Sequence, residues 1–129
     1  YLGAREGRLW PEAATGRALA IDLLFLETSV MQLHGGMVFL YRGILPRIGK
    51  AGDPERVAKA HKKLGPTFRL LESTLGTNDY LLGDFTLVDC AFAPWLPWLD
   101  LDAYPGLMAW RARLRDRAEW RRCGVATPD

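Results

Sequence analysis

The sequence predicts an all-α helical bundle, on three observations. Apolar residues recur at spacings of three and four along most of the chain. No segment shows the apolar and polar alternation of a half-buried strand, and no internal repeat stands out. Thr86 and Asp89 form a short-armed capping box ahead of an apolar run, the local signature of a helix start.

Taken in order, the first helix is expected from Pro11 to about Leu45, with Pro11 in its first turn and Pro46 stopping it. Its segment Ile21 to Leu26 is apolar on more than one side, so it is buried from several directions or touches a second body. Gly35-Gly36 either breaks this helix or lets something pack against its backbone, at a cost of about 1 kcal/mol per glycine relative to alanine. Asp53-Pro54 reads as N-cap and first position of a second helix, whose stripe Val57, Ala60, Leu64, Phe68, Leu71 and Leu75 faces a core. Pro66 should kink that helix and Gly76 should end it. A third helix starts at Leu87 behind the Thr86/Asp89 box and runs toward Trp95 and Trp98, bent or ended by Pro94 and Pro97. Leu107, Trp110 and Leu114 mark a further helix, followed by a short segment around Trp120.

A chain of 129 residues, 49% hydrophobic and 25% charged, suits one globular domain and excludes a disordered class. A net charge of +2 is too small to predict nucleic acid as a partner. The arginines from Arg111 to Arg122 alternate with Asp116 and Glu119 and read as a solvated helix surface. Cys90, Cys123, His34 and His61 lack zinc spacing, so no metal is expected. Asp22, Glu27 and His34 interrupt the longest apolar stretch, no secretory signal is visible, and a reduced cytoplasmic setting without membrane contact is expected. Thr86 and Asp89 are assigned to the helix cap rather than to catalysis. Cys90, among apolar neighbours, reads as a small inert hydrophobe.

Two runs carry a family likeness: Tyr80-Leu81-Leu82-Gly83-Asp84-Phe85-Thr86-Leu87-Val88-Asp89, and Tyr104-Pro105 with Leu107 and Trp110. Together with Leu71-Glu72, Leu9-Trp10-Pro11 and Tyr1-Leu2, they resemble the helical C-terminal domain of glutathione transferases. Val88 stands where that family usually has alanine, which leaves the subclass open. The resemblance implies that residues 1–10 are a linker from a thioredoxin-like domain absent from this sequence, and that residues 11–129 form the helical domain. The opening at Tyr1 rather than Met fits a processed product or part of a longer chain. The family's thiol-activating residue and its γ-glutamyl-binding residues belong to the thioredoxin-like domain, so no catalytic residue is assigned here.

What remains by resemblance is a wall of the pocket for small hydrophobic electrophiles, the partners in glutathione conjugation, with glutathione as co-substrate. That wall would use Gln32, His34, Gly35 and Gly36 on the first helix, and Trp98. The family also implies a homo-oligomer. The same helical domain resembles non-catalytic docking modules of elongation factor gamma subunits and aminoacyl-tRNA synthetase complexes, which is the alternative reading.

Overall fold

The structure, a computed structural model, describes residues 9–123. Tyr1 and Leu2 of the expected linker lie outside the described residues. The described residues hold five helices and a short 3-10 turn, and their only β-pairing is a pair of isolated bridges, Tyr80 with Gly83 and Leu82 with Asp84.

Helix α1 runs unbroken from Ala14 to Arg47, 34 residues, through Gly35-Gly36. Of the two readings of Gly35-Gly36, the break is absent and the close packing is present, with the Trp95 ring over Gly35. Two wide turns interrupt its regular pitch, Glu27–Met31 and Phe39–Ile44, where the bonding steps back five residues: Gln32 N–H donates to the Glu27 carbonyl and Leu45 N–H to that of Leu40. Just before and within the first wide turn, the hydroxyls of Thr28 and Ser29 donate to the carbonyls of Leu24 (2.9 Å) and Phe25 (2.7 Å).

Pro11 is not in the first turn. It precedes Ala14, and its ring covers Gly16, where an added Cβ would meet Pro11 Cβ at 2.9 Å. Pro46 does not stop the helix either, because it sits in the last turn, Leu45–Arg47, beyond the second wide turn. Its ring lacks an N–H. Ile48 then leaves helical geometry and Gly49 takes φ +73°, while Lys50 N–H closes the end by donating to the Leu45 carbonyl at 2.9 Å.

Because it is continuous, α1 is long and apolar enough to cross a membrane by length and composition, which corrects the expectation drawn from Asp22, Glu27 and His34. Its Ala20, Leu23, Met31 and Val38 are instead buried in the domain core, and it packs along α2.

Helix α2, Pro54–Leu75, is capped as expected: Asp53 Oδ1 accepts from Arg56 N–H at 3.0 Å, and Pro54 opens the first turn. Pro66 is retained inside the helix, and Gly76 at φ +53° ends it. Every residue of the predicted stripe is buried, with Thr67 beside it. At about 1.5–3 kcal/mol for each large apolar side chain, that stripe is the main tie between α2 and its neighbours.

Helix α3, Leu87–Phe92, is shorter than expected. It ends ahead of Pro94, and Trp95 leads into a 3-10 turn, Leu96–Trp98, that ends on Trp98. Helices α4, Pro105–Asp116, and α5, Ala118–Cys123, complete the bundle. No side chain of its own caps α4. Glu72 of α2 does so instead, accepting from Gly106 N–H and Leu107 N–H at 2.8 Å each.

The basic run is less solvated than predicted. Arg111 donates to the Leu96 and Leu99 carbonyls, Arg113 to that of Asp79, and the Arg117 guanidinium lies 3.6 Å over the Phe85 ring. Arg115, Arg121 and Arg122 remain exposed.

Candidate functional site

The segment of α1 between its two wide turns, Gln32–Val38, holds four of the five predicted pocket residues. Turns that admit one extra residue are enriched at functional positions, because they change the direction in which the following side chains point. Around this segment the glycines do different work. Gly35 is buried, and an added Cβ would lie 3.2 Å from Met31 Sδ and 3.5 Å from the Trp95 ring. Gly36 meets nothing within 4 Å. Gln32, one turn before Gly36, is exposed, so the two form a smooth open face.

His34 points elsewhere. It lines a groove of about 640 Å³ between α1 and the first half of α2, with Leu33, Met37, Arg56, Lys59 and Lys63. Trp98 is 2% exposed and packs edge-on against Phe39 at 5.0 Å. It is seated on Gly43, whose added Cβ would come within 2.8 Å of Trp98 Cζ3, and the Arg47 guanidinium lies 4.9 Å over its ring. Gln32, His34, Gly35, Gly36 and Trp98 are therefore not gathered around one cavity among the described residues.

The residues that sequence reasoning missed lie on the side of α1 facing the 3-10 turn. Trp95 is only half-buried, closes over Gly35 and donates from Nε1 to Glu27 Oε1 at 2.8 Å. The one local signal was a further glycine, Gly43, on the same helix. Further along, Arg42 donates to both carboxylate oxygens of Asp100 at 2.8 and 3.0 Å and to the Trp98 carbonyl at 2.9 Å. His61 Nε2 of α2 lies 3.5 Å from the same carboxylate and has no hydrogen-bond partner. These groups, with Tyr41, Pro46 and Val57, line a groove of about 730 Å³ at the end of the α1/α2 pair.

The Arg42 hydrogen bond holds the Asp100 carboxyl below its ordinary range and raises Arg42 in turn. Burial pushes His61 down, with Arg42 adding to it and Asp100 opposing. His61, Arg42, Asp100 and Asp53 stand in this groove beside the apolar Pro46, Pro54, Val57 and Ala58, so it combines an ion pair and an imidazole with apolar contact. Among the described residues, no group of three or more His, Cys, Asp or Glu side chains could hold a metal ion.

The capping assignment of Thr86 and Asp89 is met in both directions: Thr86 N–H donates to Asp89 Oδ2 at 2.8 Å, and the Thr86 hydroxyl accepts from Val88 N–H at 3.3 Å. Cys90, expected among apolar neighbours, is exposed at the surface of α3, and Cys123 is exposed as well.

The sequence pattern of the "Glutathione S-transferase, C-terminal domain" family matches residues 54–123, more than half of the chain. A theta class glutathione S-transferase from Xanthomonas axonopodis pv. citri, solved with glutathione bound, superposes with a TM-score of 0.77 at 28% identity, covering 97% of this chain and 68% of that one. A glutathione S-transferase from Rhodospirillum rubrum F11 superposes at 0.78 with 18% identity, over 95% of this chain and 59% of that one. For glutathione transferase F7 from Populus trichocarpa the values are 0.75 and 18%, over 86% and 56%. The last two likenesses show the fold alone, and the chain spans less than two thirds of the length of those proteins. No curated protein sequence matches it.

Proposed function

We infer, since this chain belongs to the glutathione S-transferase C-terminal domain family, that it forms the helical half of a glutathione-dependent transferase and lines the site for a small hydrophobic electrophile. The observation that supports this is the open face of α1 at Gln32 and Gly36, bracketed by two wide turns, with nothing within 4 Å of the space a Gly36 side chain would fill. An apolar acceptor laid on that face would be held by contact and exclusion of water, while a thioredoxin-like domain presents the glutathione thiolate. His34, on its own groove, would act from the side. Gly35 and Trp98 would set the shape of α1 from beneath, Gly35 under Trp95 and Trp98 over Gly43.

Glutathione enters this reading as co-substrate, and no residue of the chain is assigned to its thiol. A cytoplasmic setting goes with it. A second copy of the chain is a further part of the proposal, because Ile21 and Phe25 stay 59% and 72% exposed on α1, with Leu33 at 61%.

Backbone amide chemical shifts of the 129-residue chain test the reading during titration with a chlorinated nitroaromatic and, separately, with glutathione. The electrophile should move residues 32–36, and the chain by itself should conjugate nothing. Shifts confined to other elements would sink the pocket assignment, and turnover by the chain alone would overturn the division of labour. Sedimentation should give a species larger than the monomer.

A further inference from the structure

The two cysteines of the sequence, far apart along the chain, open on one cavity. Cys90 follows Asp89 on α3, and Cys123 is the last residue of α5. With Phe85, Ala93, Leu114 and Trp120 they line an apolar cavity of about 220 Å³. Both thiols are free and exposed. They also feel each other: burial first, then Asp89, and also Cys123, push the Cys90 thiol up, with Arg117 opposing. Helix α5 is six residues long and joins α4 through Arg117, whose backbone is extended at φ −67°, ψ 139°. The Arg117 guanidinium lies 3.6 Å over the Phe85 ring and Trp120 packs against the core, which holds α5 beside α3.

We propose that Cys90 and Cys123 form a dithiol modification site that takes small disulfides such as glutathione disulfide and closes into an internal disulfide fastening α5 to α3. The exposed Cys123, on the terminal helix, reacts first. Its thiolate attacks one sulfur of the small disulfide, that S–S bond breaks, and one small thiolate leaves with a mixed disulfide on Cys123. Cys90, disfavoured as a thiolate by burial and by Asp89, reacts second. It loses its proton to solvent, attacks Cys123 Sγ and releases the second small thiolate, which takes up a proton. Two protein thiols are oxidised to one disulfide while one small disulfide is reduced to two thiols. Closure needs the two Cα atoms within about 4.4–6.8 Å, so α5 and α3 must meet across the shared cavity of about 220 Å³.

The test is incubation of the 129-residue chain with glutathione disulfide, followed by thiol alkylation and peptide mapping without reductant. The expected result is a Cys90–Cys123 linked peptide, loss of alkylation at both residues, and a denaturation midpoint shifted upward until a dithiol reductant is added. Cys90→Ser should trap the mixed disulfide on Cys123, whereas Cys123→Ser should stay largely unmodified. Stable mixed disulfides on the wild-type chain without the internal link, or disulfides between chains alone, would overturn the proposal. If a serine variant does not fold, the wild-type map decides by itself.

Discussion

The indole Nε1–H of Trp110 on α4 donates to Asp89 Oδ1 on α3 at 3.0 Å, deep in the core. The same carboxylate accepts from Leu81 N–H at 3.2 Å, from Thr86 N–H at 2.8 Å and from the Thr86 hydroxyl at 3.1 Å. One fully buried side chain thus joins the turn before α3, the start of α3 and the middle of α4. These donors replace water around the carboxyl oxygens.

Asp89→Ala and Thr86→Ala should therefore differ. Thr86→Ala removes a cap and should cost about 0.5–2 kcal/mol. Asp89→Ala leaves the Leu81 and Thr86 amides and the Trp110 indole without partners inside the core, and should cost about 3 kcal/mol or more. Urea denaturation compares the two, and equal midpoints would show that Asp89 acts only as a cap.

Glu72→Ala should destabilise the domain by about 1–3 kcal/mol, because α4 loses the carboxylate that caps its first amides from another helix. Gly106→Ala reaches the same contact from the opposite side, since its Cβ would lie 3.0 Å from both Glu72 oxygens. If each variant weakens this cap, the double variant in a thermodynamic cycle should cost less than the sum of the two. Strict additivity would mean the contact is incidental.

The glycines of α1 should respond in opposite directions to alanine. Gly43→Ala drives a methyl to 2.8 Å from Trp98 Cζ3 and 3.1 Å from Phe39 Cδ2, both in rigid rings, and should cost about 1–3 kcal/mol. Gly36→Ala enters open space and should stabilise by up to about 1 kcal/mol through helix propensity. Thermal melts check both, and a stabilised Gly43→Ala would contradict the seating of Trp98.

Stability should fall as the solution is acidified through the histidine range. Folding favours neutral His61, chiefly through burial, so that stability is present above the ordinary histidine value of about 6.5 and is lost as pH falls toward the depressed folded value. Asp100, held down by Arg42, stays charged across this window and opposes the shift without cancelling it. Urea midpoints between about pH 5 and pH 8 should slope less for His61→Gln than for the wild type. Parallel slopes would remove His61 from the account.

The stripe of α2, its Asp53 cap, its Gly76 end and the Thr86/Asp89 box were legible in the sequence, because each depends on residues within a few positions of one another. For Gly35-Gly36 on α1 two readings stood open, a break or close packing against the backbone. Trp95, arriving from a distant segment, packs over Gly35 and decides for the second. The cap that Glu72 places on α4 and the seating of Trp98 on Gly43 are likewise long-range, and nothing local announces them. Of the candidate site, the glycine segment was legible, but the groove of Arg42, His61 and Asp100 was not, since its members come together only when the ends of α1 and α2 meet the chain beyond the 3-10 turn.

The wide turns of α1 make that helix a record of length changes. Each holds one residue more than a regular turn, so removing a single residue between Glu27 and Met31 would return this stretch to ordinary pitch and leave the segments on either side facing the neighbours they face now. Ile21 and Phe25 would stay turned to solvent, and Gly35 and Gly43 would stay beneath their tryptophans. The same deletion within the regular stretch Ala14–Leu26 would instead turn everything upstream by about 100° around the axis. Among related sequences, a one-residue gap at a wide turn is absorbed where it falls, with the core left in register.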